Sequence, residues 1–397
     1  MFILTFTNYY SLTQLVKSNI KIFDYISHKL FNNYNFTLFC IKYDSYNTLK
    51  YAKKFHDNYN ILLHAVLQNG NCLAYASDNL RCNYNIVYTA VKNKPSALLY
   101  ASVKLYDNFN IIFEAVHSDG LLLRFASDRL CNNFNIVMGA VKNNGISIRY
   151  ASYSMKQNFL IVNNAINNNS NSLQYLDDYY KNDSKIVYDA VSSNPFTLKY
   201  ASDNLKNDYY IVYKAVSLNG LSLEYASDKL KDNYNIVFKA VENNSFSIKY
   251  ISEKFKSCNK LMFIAVTKNV NVINLISSEL LSNKTFLIKC YKNVSLNSKK
   301  ILSKIVPFLK EYNNIENCKY NIKFLEDNND LLHLISNKHN LIKYLLYNKK
   351  FNIIFNNTEL NQFLKDNFNI LVIPLNNINN YYDFNFYINN EYKKIFF

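Results

Sequence analysis

The residues of this 397-residue chain best suited to hold a metal or to act as nucleophile and base are six histidines and seven cysteines. Imidazole and thiolate are zinc ligands, and a histidine beside a thiol or hydroxyl is the common way to make a nucleophile at neutral pH. The spacing builds neither site. Cys40, Cys72, Cys82, Cys131, Cys258, Cys290 and Cys318 form no CxxC pair and are odd in number, which fits neither a zinc pattern nor a disulfide framework. His28, His56, His64, His117, His333 and His339 are dispersed. His56 and His64 come nearest to a site, but no cysteine or carboxylate stands at metal-ligand spacing beside them. His333 and His339 are six apart and share no helical face. All six read as solvated or structural. No Gly-rich phosphate loop is present. The expectation is a non-enzymatic chain with no catalytic, metal-binding or cofactor-binding residues and no cofactor.

Charge offers a second kind of chemistry. Lys and Arg number 45 against 29 Asp and Glu, a formal net charge of +16. A basic chain suits nucleic acid or an anionic membrane surface. The composition supplies another source for the lysines: Asn, Lys, Ile, Tyr and Phe crowd the chain, Trp is absent, and only 5 Gly and 4 Pro occur. These residues have AT-rich codons, which supply Lys without selection for charge. Within the Tyr-preceding positions the cations are also scattered: Arg124, Arg149, Lys199 and Lys249 alternate with Glu224. A code-like nucleic-acid reader would repeat its reading residues.

The elements that would position any site are set by a repeat. Tyr75, Tyr100, Phe125, Tyr150, Tyr175, Tyr200, Tyr225 and Tyr250 stand 25 residues apart, with Tyr25 on the same grid and Tyr51 one residue late. Ala65, Ala90, Ala115, Ala140, Ala165, Ala190, Ala215, Ala240 and Ala265 make a second column, extended by Leu15, Cys40 and Cys290. A third is Asn33, Asn58, Asn83, Asn108, Asn133, Asn158, Asp183, Asp208, Asn233, Cys258 and Asn283, a column of N-cap residues. After each cap come apolar pairs such as Ile211, Val212, Ala215 and Val216, one helical face. Gly70, Pro95, Gly120, Gly145, Pro195 and Gly220 mark the end of that helix, Gly as a left-handed C′ residue and Pro as the opening of the next helix. Leu223, Ala226 and Leu230 then form the stripe of a second helix. Helices of about 9–11 residues are marginal alone, so each repeat must stack on its neighbours. The tyrosine column reads as core, since Phe125 and Leu275 dispense with the hydroxyl; the competing reading is a stripe of rings for stacking bases. Cys72 and Cys82 read as drift.

The motif Asn-Gly-x-Ser-Leu-x-Tyr-Ala-Ser-x-x-Leu-x-x-Asp/Asn-x-x-Ile-Val-x-x-Ala-Val, as at 219–241, resembles the repeats of domain of unknown function 4116. The resemblance covers about 15–297. It departs at 175–177, Tyr-Leu-Asp, and fades beyond 251. It implies a relation to repeat proteins of giant viruses or protists, hence the host cytoplasm, and carries over no site residue.

The sequence therefore predicts an all-α fold, an α-solenoid of 25-residue two-helix repeats. Residues 1–14 form an N-terminal cap, 15–297 the array and 298–368 a helical C-terminal cap. Residues 369–397 form an irregular or β-rich tail that can fold as a small β-hairpin. The N-terminus lacks a basic n-region, and no run of about 18 apolar residues occurs, so neither a signal peptide nor membrane insertion is expected. Unpaired cysteines suit a reducing, intracellular setting. The predicted role is a scaffold for protein–protein interaction, with variable surface pairs Tyr88/Thr89, Phe113/Glu114, Tyr188/Asp189, Tyr213/Lys214 and Phe238/Lys239 as contacts. The alternative is a basic nucleic-acid-binding solenoid.

Overall fold

The structure, a computed structural model, describes residues 26–316 continuously. It also describes the backbone of strands 370–374, 384–388 and 391–393, and the single positions 16, 23, 325, 327, 328, 335, 341, 344, 345, 358 and 362. The expected N-terminal cap, Leu15, Tyr25, Cys318, His333, His339 and most of the C-terminal cap lie outside the described residues. The chain divides into two compact bodies, 1–218 with 225–227 and 219–224 with 228–397. Both are α-helical repeat structures of the solenoid class. Among the described residues no helix is long and apolar enough to cross a membrane. In the tail, β1 (Ile370–Pro374), β2 (Phe384–Ile388) and β3 (Glu391–Lys393) form an antiparallel sheet in that order, with Val372 opposite Phe386 and Tyr387 opposite Tyr392.

One repeat of the first body shows how the residues dictate the path. Asn133 is extended, and its Oδ1 accepts from the N–H groups of Asn135 and Ile136 at 3.1 and 3.2 Å. That starts the long helix Phe134–Asn143, which buries Ile136, Val137, Ala140 and Val141. Asn144 ends it with φ −145°, and its own side chain accepts from Ile146 N at 3.1 Å, starting a 3-10 helix, Gly145–Tyr150. Ala151 and Ser152 are extended, and Ser152 caps one α turn, Tyr153–Lys156. The N-cap column thus acts as expected, with Cys258 contributing no side-chain cap.

The second helix of each repeat is not continuous. Where Leu223, Ala226 and Leu230 suggested one stripe, the chain forms a 3-10 helix, Gly220–Tyr225, and then a separate α turn, Asp228–Lys231. The reason is visible at the equivalent serines. Ser102, Ser127, Ser152 and Ser202 donate their N–H to the carbonyls of Arg81, Tyr106, Cys131 and Lys181 in the preceding repeat, at 3.0, 3.0, 2.9 and 2.8 Å. An N–H committed to the neighbouring repeat cannot close an intrahelical bond, so the helix breaks there. The late Tyr51 has a related cause. After the non-helical Asp44, residues 45–51 wind as α-helix rather than as the six-residue 3-10 helix used elsewhere, and the α turn that follows is shortened to a 3-10 turn, Lys53–Phe55.

The glycines are retained for space. None takes the expected left-handed conformation; the preceding Asn69 and Asn144 are extended. A Cβ on Gly120 would lie 2.3 Å from the Ala140 carbonyl oxygen of the next repeat. The Gly120 N–H is meanwhile taken by Asn143 Oδ1 at 2.8 Å, and Asn143 Nδ2 donates to the His117 carbonyl at 3.0 Å. The same clamp joins Gly70 to Asn93 and Gly145 to Asn168, and, in the second body, Gly220 to Asn243. Pro95 and Pro195 have no N–H to give, and the corresponding positions are Ser118 and Leu218.

A second ladder explains the departure at 175–177. Ser152, Ser202 and Ser227 donate Oγ–H to Asn132, Asn182 and Asn207 of the repeat before, at 2.7, 2.6 and 2.7 Å, and Ser127 does so to Asp107. Asp177 replaces the serine donor with an acceptor, and its partner is Gln157, whose Nε2 donates to Asp177. Donor and acceptor have exchanged columns together.

Two predictions follow from this packing. Gly120→Ala is expected to destabilise the protein by about 1–3 kcal/mol through overpacking against backbone. Gly139→Ala, where the Cβ meets only the His117 ring and lies mid-helix, is expected to cost less than about 1 kcal/mol because alanine favours the helix; thermal unfolding followed by circular dichroism distinguishes them. Separately, Gln157→Asp sets two carboxylates together and should lower the melting temperature, and adding Asp177→Ser should restore it by rebuilding the Ser127–Asp107 arrangement. A double variant less stable than Gln157→Asp alone would refute the pairing.

Candidate interaction surface

Three of the four described histidines are tied to backbone carbonyls one by one. His56 Nε2 lies 2.8 Å from the Leu49 carbonyl, His64 Nδ1 2.7 Å from that of Asn60, and His117 Nδ1 2.8 Å from that of Phe113. His28 stacks on Tyr51 at 4.7 Å. Among the described residues no three His, Cys, Asp or Glu side chains are placed to share a metal ion. Cys40, Cys72 and Cys290 are fully buried, and burial pushes their thiols up to about 12, 11 and 12. Cys72, rather than drifting, fills a buried column with Ala97, Leu122, Ser147, Ser172 and Thr197, in which small residues prevail, and its Sγ donates to Ser45 Oγ at 3.3 Å.

The tyrosine column is rim and not core. Tyr75, Tyr100, Phe125, Tyr150, Tyr175 and Tyr200 are all half-buried. The column closes each 3-10 helix just before the chain straightens, so ring faces stay within reach of the preceding side chain. Cations lie over them: Arg124 over Phe125 at 4.7 Å, Arg149 over both Tyr150 and Tyr175 at 5.0 and 5.1 Å, and Lys199 over Tyr200 at 4.6 Å. A ring face covered by its own chain's cation is not open to a stacking base.

A basic column missed in the sequence is Lys156, Lys181, Lys206, Lys231 and Lys256, 25 residues apart on the short α turns. Three of its five members are matched to acids. Lys206 pairs with Asp203 at 3.3 Å, Lys231 with Asp228 at 3.7 Å and Lys256 with Glu253 at 2.6 Å, while Lys156 donates to the Arg149 carbonyl at 3.0 Å. Such surface i, i+3 pairs add little stability, but they offset the charge of those three lysines.

The face that stays open is aromatic, and it lies at the first position of the long helices, which sequence reading passed over as cap-flanking. In the first body Tyr34, Tyr59, Tyr84, Phe109 and Phe134 each expose 37–39% of their surface, and Phe159 47%. One turn on, a second aromatic sits on the same side. Tyr84 stacks on Tyr88 at 5.6 Å, Phe109 on Phe113 at 5.6 Å and Tyr209 on Tyr213 at 5.8 Å, the i, i+4 geometry of a helix face. Of the surface pairs anticipated from sequence, Phe113, Tyr188 and Tyr213 are more than a third exposed, whereas Tyr88 and Phe238 are half-buried. Asparagine dominates the adjoining position at Asn60, Asn85, Asn110 and Asn135, all exposed, and Asn110 Nδ2 reaches the Tyr84 hydroxyl at 3.4 Å. The signal was in the repeat itself, since an aromatic stands at this phase in every repeat from Tyr34 to Tyr234 except at Ser184.

The thiols give a direct check on which surface is solid. Among the described cysteines, Cys82, which is exposed, is expected to be labelled first when native protein is treated with a thiol reagent near pH 8. Cys40, Cys72 and Cys290 should react only on unfolding, and rapid labelling of any of them, read by peptide mass spectrometry, would show that its helix opens.

The sequence model of a family described as Domain of unknown function (DUF4116) matches four tandem segments, 58–106, 108–156, 158–206 and 208–256. Each segment holds two of the 25-residue repeats, so the family's unit is a pair of them. No curated protein and no solved structure matches the chain. Together the four segments run through half of the sequence in the register set by the caps and the serine ladder, and the chain belongs to this repeat family of unknown function.

Proposed function

We propose that this protein is a non-enzymatic scaffold that holds protein partners along the aromatic face of its long helices. The observation that carries this reading is the exposed column Tyr34, Tyr59, Tyr84, Phe109, Phe134 and Phe159, which recurs at 25-residue spacing on consecutive repeats of one body. Nothing in the repeat's own packing requires aromatic residues there. Ser184 holds the same position, and its helix, Ser184–Ser193, still buries Ile186, Val187, Ala190 and Val191. Rigid, amphipathic rings flanked by amides are the composition of protein interface centres, where Tyr supplies contact area at low cost in side-chain entropy. A series of such sites along a stiff array suits an extended partner that engages several at once, so that modest contacts add through effective concentration.

Triple replacement Tyr84→Ser, Phe109→Ser and Phe134→Ser tests this. The side chains are more than a third exposed, so the melting temperature should stay within a few degrees. Tagged wild-type and variant protein from the native cell, each treated with nuclease, are compared after cross-linking. A stoichiometric partner held by the wild type and lost from the folded variant is the expected result. Retention of the same partners by the variant would move the binding face elsewhere.

A further inference from the structure

The positive charge of the chain is not spread as codon drift would spread it. Residues 58–256 hold 20 basic and 16 acidic side chains. Residues 280–310 hold seven lysines (Lys284, Lys289, Lys292, Lys299, Lys300, Lys304 and Lys310) and no acidic residue. All seven fall in three consecutive helices of the second body, Lys284–Lys292, Leu296–Ile305 and Pro307–Glu316.

The structure gathers six of them around two cavities. One, of about 590 Å³, is lined by Lys260, Lys289 and Lys292, with Asn259, Asn283, Thr285 and Asn293 among them. The other, of about 780 Å³, is lined by Lys299, Lys300, Lys304 and Lys310 with Ser303 and Asn313. Tyr291 lines the second cavity and its chain neighbour Lys292 the first, so one helix serves both. Like charges held at this density in a folded surface repel one another, and a polyanion relieves that repulsion.

We propose that this lysine cluster is a binding site for the phosphodiester backbone of nucleic acid, separate from the aromatic face of the first body. Three observations favour phosphate over an acidic peptide and backbone over bases. Every cation is lysine, and no arginine occurs between 257 and 316. Lysine binds phosphate as a point charge, whereas planar carboxylates are recognised best by the arginine fork. The interspersed Asn, Thr and Ser side chains are the usual neutral donors to phosphate oxygens. The rings at the site are closed to bases: Phe286 and Tyr291 are buried, and Phe263 and Tyr291 lie under Lys289 and Lys299 at 5.0 and 5.3 Å. Binding is therefore independent of sequence and steep in salt.

The test uses the full chain and a fluorescein-labelled DNA duplex, with anisotropy as the readout. Four neutralised phosphates predict that affinity falls about a hundredfold between roughly 50 and 200 mM salt. Lys289→Gln, Lys292→Gln, Lys299→Gln and Lys300→Gln together should weaken binding at least about thirtyfold. The matched control Lys92→Gln, Lys94→Gln, Lys142→Gln and Lys185→Gln, with the same net charge, should change it less than about threefold. Circular dichroism confirms folding, and the single change Ser303→Glu, which places an anion in the second cavity, should weaken binding even if the quadruple variant does not fold. Equal losses in the two quadruple variants would overturn the proposal, as would absence of binding at low salt. Competition by poly-glutamate as effective as by unlabelled duplex would overturn it in favour of an acidic peptide, and stronger competition by phosphatidylserine vesicles in favour of a lipid surface.

Discussion

A ten-residue helix that buries four aliphatic side chains cannot persist in water by itself, and this constraint shapes the whole repeat. The closing N–H of every Tyr-Ala-Ser segment is given to a carbonyl one repeat back. That single bond breaks what would otherwise be a second helix, turns the chain, and fixes the spacing at which the next long helix arrives. Once the spacing is fixed, the Ala140 carbonyl stands so near Gly120 that a Cβ has no room, and the Asn143 amide finds both a donor and an acceptor across the junction. Local capping and neighbour packing are thus one set of interactions.

The junction tolerates changes of residue type as long as hydrogen-bonding roles are conserved. Glycine supplies an N–H and meets asparagine; proline supplies none and meets serine or leucine. Serine donates to Asn or Asp; Asp177 accepts from Gln157. These exchanges pair residues 20 to 23 positions apart, so a departure from the motif in one repeat has its explanation in the repeat next to it. At the part-buried Gly–Asn clamp and Gln157–Asp177 pair the energetic logic is the cost of a polar group left without a partner, which exceeds what a formed hydrogen bond contributes.

This also accounts for what the sequence made legible. The period, the N-cap column and the Ile-Val and Ala-Val core pairs are local patterns, and the structure places each where the periodicity put it. The second helix was misjudged because Leu, Ala and Leu at i, i+3 and i+7 satisfy helical spacing whether or not the chain between them is continuous; only the partner of the serine N–H decides, and it lies in another repeat. The tyrosine column was assigned to the core because regular recurrence of an aromatic suggests burial. Regularity instead reflects a place at the rim where a ring packs on one side and takes a cation on the other. The open aromatic column went unnoticed for the converse reason: beside an N-cap, an aromatic looks like part of the helix start.

Charge required the same correction of scale. Counted over the chain, +16 says little, because the lysines of the short α turns face acids three residues before them. In the family-matched repeats several cations are held by such pairs, by carbonyls and by aromatic rings. Past residue 282 the short α turns and their acidic partners come to an end while lysines continue, so the charge is densest in three consecutive helices. A drifting composition explains why lysine is abundant; what sets residues 280–310 apart is density, seven lysines without an acidic residue, where the longer acid-free run 129–176 holds four cations. The division of labour inside the repeat is what makes that segment stand out: beyond the last short α turn, lysines follow one another over three helices with no acidic residue between them, which is the arrangement an anionic ligand needs.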